Sequence, residues 1–130
     1  MALVPIPIKV DLDRQQFTAA YNLLANAINA NQLAISQVGI NNQALVAYTL
    51  ILGDAGDAVV NSNAAAVTVT VPLNATVAFP IGTFVDVWST GVGGVTVAAT
   101  GGVTISGVLA IAQNTMKRLV KTAINSWVLA

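Results

Sequence analysis

The sequence predicts an α+β chain in which an N-terminal arm and a helix precede an all-β domain. Three observations carry that expectation. Apolar residues recur at helical spacing from Phe17 to Leu45, strict alternation sets in at Val67-Thr68-Val69-Thr70-Val71, and glycines crowd the second half. The expected divisions are an extended apolar arm at 1–12, a helical oligomerisation segment at 13–45, and a β-sandwich or jelly-roll-like domain at 46–130.

The arm contains Leu3, Val4, Pro5, Ile6, Pro7 and Ile8. Its two prolines fix φ near the polyproline value and remove backbone donors, so a helix is blocked and extended geometry favoured. Two readings stand: a strap over the chain's own domain, or an anchor that docks into a neighbouring protein. The second suits an uncharged apolar terminus, because exposed apolar segments have partners. With no basic region ahead of it and two prolines inside, the segment does not read as a secretory signal, which implies synthesis in a cytoplasm.

The helix start is punctuated. Asp13 suits the N-cap, Gln16 falls at N3 to complete a capping box, and Leu12 and Phe17 occupy the staple positions, so the helix is expected to begin at Arg14. From there a 4-3 spacing runs through Phe17, Tyr21, Leu24, Ile28, Asn31, Ile35, Val38, Asn42 and Leu45. Of ten large apolar residues in that span, seven fall on these nine seam positions, which makes the match more than a product of an apolar chain. Asn31 falls at a d position and Asn42 at an a position. Polar residues in a coiled-coil core cost stability while fixing register and oligomer number, so the pattern points to parallel self-association. The competing reading splits the segment into two shorter helices near Asn29-Ala30-Asn31-Gln32. Gly39 and Asn41-Asn42 also permit a break near the far end.

Beyond Leu45 the expected strands are 46–52, Val67–Val71, 76–79, 84–88, 95–98, 103–105, 116–122 and 127–129, a spacing that suits a sandwich or barrel. Most of the ten glycines lie between 82 and 107, where tight hairpins are expected. A phosphate cradle is not, since no strand leads into a helix there and no Gly-Lys-Ser/Thr follows.

Composition narrows the function. Of 130 residues, 55 % are hydrophobic and 8 % charged, too few charges to clothe an ordinary monomer, so much surface is expected to be covered by other chains. Formal net charge is zero, from five Asp, no Glu and five Lys or Arg, which argues against nucleic acid or an anionic membrane as a partner. The stretch from Val87 to Met116 is uncharged, but its glycines and threonines suit strands and turns better than a helix crossing lipid. No cysteine means no disulfide and no thiolate metal site.

Catalytic chemistry has little to work with. The chain lacks His, Cys and Glu, hence the commonest general base, nucleophile pairings and most metal-ligand sets, and no catalytic, cofactor-binding or metal residues are assigned. Asp11 and Asp13 belong to the helix start and Asp54 and Asp57 to turns. A calcium site at the latter pair is weak, because calcium takes about six to eight oxygens. Asp86 is expected to face outward or to pair with Lys or Arg. Lys117, Arg118 and Lys121 read as solvated charges on strand edges, and Trp88 and Trp127 as core or inter-subunit packing in preference to a sugar platform.

The run Val67-Thr68-Val69-Thr70-Val71-Pro72-Leu73-Asn74-Ala75-Thr76, then Phe79-Pro80-Ile81-Gly82-Thr83, Gly93-Gly94-Val95-Thr96-Val97, Gly102-Val103-Thr104-Ile105 and Asn125-Ser126-Trp127-Val128-Leu129 resembles a small β-domain recurrent in tailed-bacteriophage virion proteins. The resemblance covers roughly Leu50 to Ala130. It implies a virion protein, made in the host cytoplasm, that assembles as a homotrimer and binds the major capsid protein or another virion component. A capsid decoration or cement protein is the expected role, with the arm on the shell. A short fibre or receptor-binding knob is the alternative, and an enzyme such as a glycan hydrolase is disfavoured because it wants paired carboxylates.

Overall fold

The computed structural model describes residues 14–130, with the backbone alone for 29–36. It divides into a unit ending at Gln37 and a β unit, Val38–Ala130. In the first, helix α1 spans Arg14–Ser36, rich in Ala and Leu, residues that lose little side-chain freedom on becoming helical. Near its start Thr18 Oγ1 donates back to the Arg14 carbonyl at 2.8 Å.

The helix stops at Ser36 and does not reach Leu45, a correction to the expected boundary. Strand pairing takes over: the Gly39 N–H donates to Asp57 Oδ1 at 3.1 Å, and the Gly39 carbonyl accepts from the Ala58 N–H at 2.9 Å. A Cβ at position 39 would lie 2.6 Å from the Asp57 carboxyl atoms, so any larger residue there has to displace that carboxylate. Val38, Asn42 and Leu45 therefore leave the helical seam. Asn42 lies in strand β1, and Leu45 lies between β1 and β2.

The β unit has ten strands: β1 (Ile40–Gln43), β2 (Ala47–Thr49), β3 (Ala58–Asn61), β4 (Val67–Val71), β5 (Phe84–Ser89), β6 (Val95–Ala99), β7 (Thr104–Ser106), β8 (Ala110–Ile111), β9 (Thr115–Ala123) and β10 (Ser126–Leu129). They form two sheets, one of six strands in the order β1-β3-β5-β9-β10-β7 and one of four in the order β2-β4-β6-β8. A helix followed by a two-sheet β domain is thus the architecture, as expected. The pairing inside it was not. Successive strands alternate between the sheets, so β1, β3 and β5 run parallel in one while β2, β4 and β6 run parallel in the other. Ile40 pairs with Ala58 and Ala58 with Asp86, while Val67 pairs with Val95. The chain therefore winds as a short coil, and the glycine-rich stretch serves crossings between sheets where hairpins were expected. Only the end of the unit is antiparallel: β8 returns along β6, β9 along β5, and β10 turns back on β9.

Alternation explains the core. Val67, Val69 and Val71 point inward to meet Val59, Val85, Val87, Val95, Val97 and Leu119, and Thr68 stays outside. Burial of each such side chain contributes about 1.5–3 kcal/mol. Phe79 and Trp127 close one part of the core edge to face, ring centres 5.5 Å apart. The segment 76–79, expected as a strand, makes turns instead, with both Thr76 N–H and Val77 N–H donating to the Leu73 carbonyl.

Candidate assembly surfaces

On α1, Phe17, Tyr21, Leu24 and Ile28 keep the 4-3-4 spacing and share one side of the helix, 47 to 64 % exposed. Leu23, off that stripe, is exposed as well. Asn31 and Ile35 continue the spacing along the helix backbone, and their side chains lie outside the described residues. The remaining seam residues fall in the β unit: Val38 exposed ahead of β1, Asn42 exposed in β1, and Leu45 exposed in the crossing to β2. The proposed anchoring arm of Leu3, Val4, Pro5, Ile6, Pro7 and Ile8 lies outside the described residues, as do Asp13 and Leu12 of the helix start.

In the β unit, β1 and β2 each form one edge of their sheet, and the coil they belong to leaves Ile40, Val46, Ile51 and Leu52 exposed. Beneath them lies a polar clasp that sequence reasoning missed. Asp54 is 2 % exposed and accepts three hydrogen bonds: from Asn41 Nδ2 at 2.8 Å, the Tyr48 hydroxyl at 2.8 Å and the Ile51 N–H at 2.9 Å. Gln43 Nε2 in turn donates to Asn41 Oδ1 at 2.7 Å. Burial, and then the Asp54 carboxylate, push the Tyr48 hydroxyl up to about 12. Asp54 serves this clasp and Asp57 accepts from the Gly39 N–H, so the two carboxylates have separate partners. Among the described residues no group of three or more His, Cys, Asp or Glu is placed to hold a metal, and no pocket opens.

The three basic residues of β9 part company. Arg118 reaches outward and grips Asp86 on the neighbouring strand with Nε on Oδ1 at 2.7 Å and Nη2 on Oδ2 at 2.8 Å, a two-pronged pair that raises the guanidinium pKa. Its Cζ also lies 4.3 Å from the centre of the Phe84 ring. Lys117 donates to the Val108 carbonyl at 2.6 Å. Lys121 turns inward, against the expectation of a solvated edge charge: β9 sits between β5 and β10, and Lys121 is 2 % exposed. Its ammonium donates to Asn74 Oδ1 and to the Phe79 carbonyl, 5.8 Å from the Trp127 ring centre, and burial lowers its pKa. It thus ties the segment before β5 to the β9–β10 hairpin. Trp127 is core, while Trp88 is exposed on the opposite face of the six-stranded sheet.

Asn61 and Ser89, cross-strand neighbours in β3 and β5, are buried, with both side-chain polar atoms of Asn61 and the Ser89 hydroxyl unpartnered. Among the described residues no helix is long and apolar enough to cross a membrane. No family model, curated protein or solved structure matches the chain.

Proposed function

We propose that the chain is a structural protein of a tailed-bacteriophage virion, a homotrimer that decorates the assembled head and acts by binding, not by catalysis. The observation that carries this reading is the bare stripe of Phe17, Tyr21, Leu24 and Ile28, apolar side chains that a lone helix leaves in water and that copies of the chain cover when they associate. The sequence blocks from Val67 to Leu129 supply the phage assignment. In the proposed mechanism the arm of Leu3, Val4, Pro5, Ile6, Pro7 and Ile8 engages the major capsid protein at junctions that exist only in the finished shell. Binding the assembled state alone then stabilises it by mass action.

A second reading, a short fibre or receptor-binding knob, rests on the winding of the β unit, in which successive strands add in step to both sheets as they do in repeat proteins.

Mixing the purified chain with capsids that lack it, followed by electron cryo-microscopy, tests the assignment. Ordered density at capsomer junctions is the expected result. Bare shells, with density on a tail or vertex appendage of complete virions, would replace decoration with the fibre reading. Density on neither would reject a virion role.

A further inference from the structure

We propose that the outer face of the six-stranded sheet is a surface on which copies of this chain pack against one another. The inference rests on the homo-oligomer reading above and adds a contact surface distinct from the helix stripe.

The two sheets send similar side chains inward and differ outward. In the four-stranded sheet the positions alternating with core residues are Ala47, Thr49, Thr68, Thr70, Thr96 and Ala98, all small. In the six-stranded sheet the equivalent positions include Asn42, Ala58, Thr104, Ser106 and Thr122, but several carry large apolar groups in register. Val60 lies beside Trp88 and Trp88 beside Met116, while in another row Phe84 lies beside Val120 and Val120 beside Val128. Trp88 is 42 % exposed and Met116 51 %. One protein thus has a threonine-alanine face suited to water and an aromatic and aliphatic face that, left open, costs free energy. Trp, Phe, Met and Arg are the residue types enriched at the centres of interfaces.

The occupant follows from charge. Between these rows lie Asp86 and Arg118, locked on each other by two hydrogen bonds. The pair leaves the face neutral, so an acidic or basic partner finds no complement there. An identical face does, because apolar rows meet apolar rows and neither copy brings an unpaired charge to bury. Arg118 Nη1, without an acceptor among the described residues, is free to donate to a carbonyl across the contact. The chain's zero net charge removes long-range repulsion between copies, and copies joined through their helix stripes meet this face at raised effective concentration.

The cysteine-free sequence makes the test clean. Met116→Cys and, as control, Thr96→Cys are placed singly in the full chain, whose oligomeric state is read by light scattering. Each is then treated with a bulky maleimide polymer and, separately, a short bis-maleimide. The expected result is an oligomer in which Met116→Cys is labelled at least ~10-fold more slowly than Thr96→Cys and cross-links between copies. An oligomer whose Met116→Cys labels as fast as the control overturns the sheet-face contact and leaves the homo-oligomer reading standing. Protection without a cross-link between copies assigns the cover to another segment of the same chain, which also overturns it. A monomer by light scattering overturns both. As a second variant, Trp88→Glu, checked for retained fold by circular dichroism, is expected to weaken association at least ~10-fold; unchanged association counts against the contact.

Discussion

The Tyr48 hydroxyl donates to Asp54 Oδ2 across 2.8 Å, and the same carboxylate oxygen accepts the Ile51 N–H at 2.9 Å. Asp54 is therefore held by donors from a strand side chain and from its own turn. Tyr48→Phe removes one donor and is expected to cost about 1 kcal/mol. Asp54→Ala strands three donors and is expected to cost about 3 kcal/mol, both read from urea unfolding midpoints.

Raising pH should weaken the same clasp. Tyr48 ionises near 10.0 when unfolded and near 12 when folded, so between those values the folded state holds the proton that the unfolded state has lost. Its contribution is complete below pH 10 and disappears as pH climbs towards 12. Lys121 acts in the opposite direction: burial lowers its pKa, so its contribution grows as pH rises from that lowered value towards 10.5. Comparing wild type with Tyr48→Phe across this range isolates the tyrosine. Curves that stay parallel above pH 10 would remove Tyr48 as the source.

Lys121→Met keeps most of the side chain's packing while leaving Asn74 Oδ1 and the Phe79 carbonyl without their donor. A loss of about 1–2 kcal/mol is expected, together with faster amide exchange in the segment between β4 and β5. An unchanged exchange pattern there would show that the ammonium does not anchor that segment.

Gly91 lies against the backbone of Asn63, and an added Cβ would stand 1.9 Å from the Asn63 carbonyl oxygen. Gly91→Ala is therefore expected to cost more than ~3 kcal/mol or to yield insoluble protein. Gly101→Ala, with nothing within 4 Å of the new methyl, is expected to change stability by less than ~0.5 kcal/mol. Expression followed by thermal unfolding of the two variants distinguishes them.

Asn31→Leu replaces a polar seam residue and is expected to change oligomer number or register, measured by sedimentation equilibrium. An unaltered oligomer would remove Asn31 as its determinant. Deleting residues 1–10 is expected to abolish particle binding while leaving a folded oligomer, and binding by the truncated chain would reject the anchoring arm.

The helix and the valine strands were legible because each carries a single period. Val67, Val69 and Val71 alternate without interruption, and all three are core. The extent of the helix was not, because Val38, Asn42 and Leu45 continue the 4-3 spacing by accident of composition. Ile40 to Gln43 is a strand whose alternation, Ile40 and Asn42 out with Asn41 and Gln43 in, reverses the usual polarity at a sheet edge. Parallel pairing was hidden because partners such as Ala58 and Asp86 are joined only through a strand in the other sheet. Lys121 was within reach: it stands two residues after Leu119 in a strand, and that period puts it on the buried face. The clasp at Asp54 left no signal, since its members Asn41, Tyr48 and Asp54 share no motif and meet only when the coil closes.

Winding also dictates when the chain can fold. The neighbour that flanks β5 on its far side is β9, which pairs Asp86 with Arg118, and β10 must in turn lie between β9 and β7. A nascent chain that has emerged only as far as β6 has stacked its parallel strands but left one side of β5 open. No early portion is a finished body, and closure waits for residues made after position 115. Contacts this distant in sequence fold slowly, so the unfinished coil, with its valines bare, is the species a crowded cell must protect from aggregation.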